Sequence, residues 1–386
     1  MRREKPCFPV QDRWVYLSHC GVSPLYPGAF LREKTIAEAH VEGGAQAFRD
    51  YGLILERLRS SASLLLRTAP ENLSFMKNTS EALGLVAYGY PLEPGDEIIS
   101  YVHEYPANHY PWRLQEERGA VLRLLPNRGP AEQEGDERPY RWFLSDLEAL
   151  FSSRTRIVAL SHVQFTSGFA ADLEEVAGLC RAHKVDLVLD AAQSLGALPL
   201  YPDQLGVAAL AASGWKWLMG PVGTGLLYTS PDFRRRLRHV MVGAELMEQG
   251  QDYLDHAWRP FTSGKRFEYS TSPVSLAAGL EASISEVILP WGPDAIRDEL
   301  FRLQNLLIEG LDPSMFTPIV FPARHRSGIL SVRSNGNASA LVLQLEREGI
   351  IVSERAGYVR LAPHYYNTPD EMARTIAAMN RAGFAR

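Results

Sequence analysis

One lysine stands between two tryptophans in "ASGWKWLMGPVGTGLLY", residues 211–227, with apolar runs on either side that read as buried strands. Burying an ammonium group is costly unless it is paired or neutralised, so Lys216 calls for a chemical partner. Other polar sets also follow apolar runs. After "LSFMK" come Asn78-Thr79-Ser80-Glu81, whose hydroxyls and free backbone N–H groups would open a helix and offer a phosphate site, although the same residues serve as ordinary caps. After "DLVLD" come Asp190, Gln193 and Ser194; a carboxylate in that place bonds backbone amides, binds a metal or faces a ligand. Ser213 ends the run that leads into Lys216.

In open α/β sheets, ligands gather outside the carboxyl ends of the strands. A phosphate cradle, an acid and a lysine at one sheet edge together meet the needs of pyridoxal 5′-phosphate: the lysine forms the Schiff base and the acid keeps the pyridine nitrogen protonated. Lys216 then touches an aldehyde, and its amine, once released, serves as the base at the substrate α-carbon.

The order and spacing of "DAAQS" (190–194) and "SGWKWLMGPVGTGLLY" (213–228) resemble the class V aminotransferase family of fold type I. That family includes cysteine desulfurase-like, isopenicillin N epimerase-like and kynureninase-like proteins, and the resemblance runs from about residue 14 to 380. It implies that Asp190 pairs with the pyridinium nitrogen, that Gln193 bonds the ring oxygen, and that Thr79, Ser80 and Ser213 hold the phosphate. Trp215 takes the place of a family histidine or tyrosine that also reaches the phosphate. "EYPANHYPW" (104–112) resembles the segment whose aromatic residue stacks on the ring, which implies Tyr105. "RFEYSTSP" (266–273) resembles the stretch whose threonine reaches the other subunit's cofactor, which implies Thr271 and a homodimer with shared active sites. "VRLAPHYYNT" (359–368) implies Arg360 as the partner of a substrate α-carboxylate, and "YLSHCGVSP" (16–24) places His19 beside the substrate.

The pocket chooses the net reaction. Desulfurases of this family carry a mobile acceptor cysteine ahead of the carboxylate-binding arginine, and residues 313–360 contain no cysteine. Phe165, in "SHVQFTSG", stands where many desulfurases have asparagine and would give cofactor or substrate an apolar wall. Both departures point to the epimerase-like branch, with aminotransfer or epimerisation of an amino-acid substrate. The alternative is a cysteine or cystine C–S lyase or desulfurase-like enzyme, since a lyase needs no acceptor thiol. Cys20 reads as a small buried residue. A non-catalytic homologue is disfavoured because lysine, acid and arginine are all present, and no G-x-G-x-x-G or P-loop follows a strand to mark a nucleotide site.

These residues need a scaffold of strands ending at one edge. Between about 50 and 230, apolar runs alternate with amphipathic segments, the pattern of βαβ units. Strands are expected at "LSFMKN", "DEIISYV", "VLRLL", "RIVALSHV", "DLVLDAA", "AALAASG" and "TGLLYTS". The expected fold is α/β, PLP fold type I: a large domain (21–258) with a mostly parallel sheet and helices on both faces, and a smaller α+β C-terminal domain (259–386 with 1–20). Thr368, Pro369 and Glu371 form a helix entrance with cap, first-turn proline and capping-box glutamate.

A chain of 386 residues suits about two domains. Its net charge of −5 argues against nucleic-acid binding, and "FRRRLRH" (233–239) reads as a solvated helix face. Three scattered cysteines make neither a disulfide framework nor a metal site, which fits a reducing compartment. No signal-peptide core is seen, and no apolar run approaches the ~18 residues of a membrane span. The sequence therefore reads as a cytoplasmic protein with a small-molecule substrate and no membrane contact.

Overall fold

The computed structural model describes residues 8–130 and 136–382; Cys7 lies outside them. Seven strands form the large sheet: β1 (Leu73–Met76), β2 (Glu97–Tyr101), β3 (Val121–Leu125), β4 (Thr155–Ser161), β5 (Asp186–Asp190), β6 (Ala209–Ser213) and β7 (Gly225–Thr229). Their order is β1-β7-β6-β5-β4-β2-β3. Strands β2 to β6 pair in parallel, while β7 is antiparallel to both β6 and β1. All seven lie on the apolar runs expected from the sequence.

Alternate residues of the central strands feed two separate cores. Val158, Leu160, Leu187 and Leu189 pack with the helices Tyr51–Leu66 and Leu173–His183 on one face. Ile157, Ala159 and Val188 pack with the helix Thr79–Gly89 on the other. Burial on both faces explains why these strands read as continuous apolar runs. The register sets Ser161 opposite Asp190, Asp190 opposite Ala211, and Gly225 opposite both Ser213 and Met76. The residues that follow β1, β4, β5 and β6 therefore leave the sheet at one edge.

The smaller part holds the antiparallel strands β8 (Phe316–Pro318), β9 (Leu330–Ser334), β10 (Ser353–Arg355) and β11 (Tyr358–Leu361) in the order β10-β11-β9-β8. The N-terminal strand Val15–Tyr16 pairs with Ile350–Ile351, and Val15 and Leu17 share a core with Leu330 and Val359. The capping box at Thr368 and Glu371 forms as expected: each residue's backbone N–H bonds the other's side chain, at 2.6 and 3.2 Å.

Two expectations are corrected. Arg234 of the basic run does not face solvent; it is buried and donates to the carbonyls of Thr229 (2.6 Å) and Thr262 (2.9 Å). Val274–Trp291 forms an 18-residue helical stretch of mean hydropathy 1.2, long and apolar enough by length and composition to cross a membrane. Its Ala277, Leu280, Ile284 and Val287 are instead packed in the large core, and it lies against the helices Pro27–Gly43 and Tyr51–Leu66. Composition grouped this stretch with the C-terminal part, whereas its side chains share the large sheet's core.

Candidate active site

The sheet edge opens on a cavity of about 310 Å³ lined by residues of both parts, among them Thr79, Tyr105, Asp190, Lys216 and Arg360. Lys216 rides a short closed loop. Gly214 N–H bonds the Thr224 carbonyl at 2.8 Å, Gly220 N–H bonds the Gly214 carbonyl at 2.8 Å, and Met219 N–H bonds the Lys216 carbonyl at 2.9 Å. A Cβ on Gly214 would collide with the Thr224 hydroxyl, so only glycine lets the loop close this tightly. Met219 takes the left-handed conformation, φ 53°, uncommon outside glycine.

Asp190 ends β5 and is buried; its Oδ1 accepts the Ala192 N–H at 2.8 Å. Burial raises its carboxyl above the usual range, opposed by the Ala192 N–H and the charge of Lys216. Burial pushes the Lys216 ammonium down, opposed by Asp190 and Cys20. A carboxylate and an amine shifted toward each other suit groups that exchange protons with a ligand. Gln193 is fixed at both ends of its amide: Oε1 accepts the Trp217 indole N–H at 3.1 Å, and Nε2 donates to the Cys20 carbonyl at 2.8 Å. Its second N–H remains for the cavity.

Thr79 and Ser213 supply the test of fit for a phosphate. The helix Thr79–Gly89 is capped by Asn78, whose side chain accepts the Glu81 N–H at 2.8 Å. The Thr79 hydroxyl is therefore not used as a cap, and both Thr79 Oγ1 and Ser213 Oγ are buried without a partner. Two orphaned hydroxyls beside a helix N-terminus, at one wall of the cavity with Ser80, fit the phosphate of pyridoxal 5′-phosphate. Asp190, Gln193 and Lys216 would take its ring nitrogen, ring oxygen and aldehyde. Bound there, the cofactor supplies an electron sink for charge released at a substrate α-carbon.

Tyr105 and Phe165 meet edge to face at 5.2 Å between centroids, and the Lys216 ammonium lies 5.4 Å from the Tyr105 ring. Trp215 lines the cavity, and its carbonyl accepts the Ser23 N–H at 2.9 Å. Arg360 sits on β11, which is paired on both sides. The side chain is only 2% exposed. It donates to the Phe165 carbonyl and, at 3.0 Å, to the Ser353 hydroxyl. Among the described residues no carboxylate pairs with it, so a buried cation is left facing the cavity, ready for a substrate carboxylate.

Two predicted residues lie elsewhere. His19 is fully buried, with Nδ1 donating to the Ala362 carbonyl at 2.7 Å and Nε2 bonded to the Tyr366 hydroxyl at 2.7 Å. Burial holds it neutral, well below the usual imidazole range. With both nitrogens engaged it anchors the N-terminal loop, and its neighbours Cys20 and Gly21 line the cavity instead. Thr271 is exposed on an outer surface beside Lys77 and Tyr269. The sequence reading missed Arg355, an exposed cation at the cavity wall, and Glu104, a buried carboxylate bonded to Ser161 and Gln164.

The pattern that describes aminotransferase class-V proteins matches residues 34–385. The chain belongs to that family. It is a pyridoxal-phosphate-dependent enzyme of the class V type, with the fold expected of one. A probable cysteine desulfurase of Methanothermobacter thermautotrophicus is 27% identical over 390 residues, spanning 94% of this chain and 93% of the relative. The cysteine desulfurase of Salmonella agona is 28% identical over 352 residues, 85% of this chain and 82% of its own. Among solved structures, the cystine C–S lyase C-DES in complex with cysteine persulfide superposes with a TM-score of 0.87 at 24% identity, covering 97% of this chain and 99% of that one.

Proposed function

We propose that this class V enzyme cleaves the carbon–sulfur bond of cysteine or cystine. The observation that carries the reading is the unpaired Arg360 guanidinium facing the same cavity as Lys216 and Asp190: it recognises an α-carboxylate while Lys216 works at the adjoining carbon. The sulfur-containing substrate is supported by the full-length relatives, which are named desulfurases. The aminotransfer or epimerisation branch, preferred on Phe165, is not the one those relatives represent. Arg355 adds a second cation at the cavity wall, with no carboxylate partner among the described residues. That would admit cystine beside cysteine, its second carboxylate meeting Arg355. A homodimer is part of the proposal. Thr271 and the large apolar side chains Phe30, Leu31, Leu254 and Trp258 are exposed in the single chain, as residues that a second copy buries would be.

Incubation of the cofactor-loaded protein with cysteine, cystine, alanine and glutamate tests the reading. Sulfur release from the first two is expected, with no keto acid from the last two. Keto acid from alanine or glutamate without sulfur release from cysteine or cystine would restore the aminotransfer branch.

A further inference from the structure

Cys20 lies outside residues 313–360, where desulfurases of the family carry their acceptor thiol, yet the fold brings it into the cavity with Asp190, Lys216 and Arg360. Its loop is pinned by the two hydrogen bonds of His19 on one side and by Gln193 Nε2 on the Cys20 carbonyl at 2.8 Å. The sulfur lies 3.8 Å from the Ser353 hydroxyl, which itself receives Arg360 Nη2 at 3.0 Å. Cys20 thus lines the cavity together with Lys216 and Arg360, and a single hydroxyl, that of Ser353, separates its sulfur from the guanidinium. Cys180, the other cysteine among the described residues, is buried in the helix Leu173–His183, where burial pushes its thiol up to about 12. It has no such setting. The cavity is independently marked as a ligand site by the buried, unpartnered hydroxyls of Thr79 and Ser213.

We infer that Cys20 is the sulfur-accepting nucleophile of this enzyme. The inference rests on the carbon–sulfur cleavage proposed above and adds where the sulfur goes. With its carboxylate on Arg360 and its α-carbon at Lys216, a bound cysteine would lie in the cavity that Cys20 lines, and the proposal sets its sulfur against the Cys20 thiol. The Cys20 thiolate attacks that sulfur. A sulfur–sulfur bond forms, the bond from sulfur to the β-carbon breaks, and its electron pair stays with the carbon skeleton, which takes up a proton to become alanine. The two sulfurs are oxidised and the β-carbon is reduced, so the step from thiol plus cysteine to persulfide plus alanine balances without an outside oxidant. An external thiol then reduces the persulfide, releasing sulfide and restoring Cys20.

The test treats cofactor-loaded protein with L-cysteine in the absence of reductant, followed by alanine assay and peptide mass spectrometry. The expected result is alanine in step with one extra sulfur on the peptide that carries Cys20, and continued alanine formation once a thiol reductant is added. Cys20→Ala and Cys20→Ser should still show the cofactor's spectral shift on binding cysteine but lose alanine formation. Extra sulfur only on Cys180 or Cys7, or undiminished alanine from Cys20→Ala, would overturn the assignment. Pyruvate and free sulfide with no protein-bound sulfur would remove Cys20 from the reaction while leaving carbon–sulfur cleavage in place. Absence of any sulfur product from both cysteine and cystine would remove both.

Discussion

At the scale of single residues, Thr79 shows how a site is kept ready at the expense of the empty fold. Asn78 caps the helix, which leaves the Thr79 hydroxyl buried and unbonded, and such a group costs about 1–3 kcal/mol. Thr79→Val keeps the branched shape and removes the hydroxyl. Thermal unfolding of the cofactor-free variant should occur at the same temperature as the parent or higher. Titration should show pyridoxal 5′-phosphate bound more weakly by about 1.5–3 kcal/mol, the worth of a hydrogen bond to a charged group. A lower midpoint with unchanged affinity would mean that the hydroxyl serves the fold. Lys216, Asp190, Thr79 and Ser213 were legible in the sequence because each ends an apolar strand or stands three residues after one. Cys20 and Arg355 were not, because their place depends on which distant loop folds over the sheet edge. His19 was misplaced by one position: the loop turns its ring inward and presents the next side chain to the cavity.

At the scale of elements, Glu104 ties the ends of two strands together. It follows β2, and its carboxylate accepts the backbone N–H of Ser161 at the end of β4 (2.8 Å), the Ser161 hydroxyl and the Gln164 amide (3.1 Å). Tyr105 is thereby held against the loop whose Phe165 carbonyl receives Arg360. Burial pushes the Glu104 carboxyl up to about 7 from an ordinary 4.5, against the pull of the Ser161 donors and with a further push from Asp190. The folded chain therefore binds this proton more tightly than the unfolded one. The stabilisation is full below about 4.5 and is lost as pH rises through about 7. Glu104→Gln preserves the shape and the acceptor for Ser161 N–H but does not titrate, so its unfolding midpoint should fall less than the parent's between those two pH values. Parallel midpoint curves would show that Glu104 does not titrate there. The central strands of the sheet were readable because their runs are apolar on both faces, and the edge strand β3 because four of its five residues are valine or leucine. The helix Pro27–Gly43 was not, because Ala29 is its only buried residue and it carries no apolar stripe. β8 was missed because it is three residues long.

At the scale of the whole molecule, the cavity collects residues from both parts of one chain, while Thr271 stands on an outer surface beside Lys77 and Tyr269. If a second copy covers that surface and delivers Thr271 to its neighbour's phosphate, each site needs Lys216 from one chain and Thr271 from the other. Lys216→Ala alone should abolish turnover, since it removes the base at the α-carbon. Thr271→Val alone should weaken cofactor binding at both sites. Unfolding and refolding the two variants together would create mixed dimers, in which one site carries both defects and the other carries neither. Activity should then rise above that of either variant kept apart, toward one working site per mixed dimer, and sedimentation should report two chains per particle. No gain on mixing, with the particle still a dimer, would mean that Thr271 serves its own chain or no site at all, and a monomer with full activity would rule out sharing altogether.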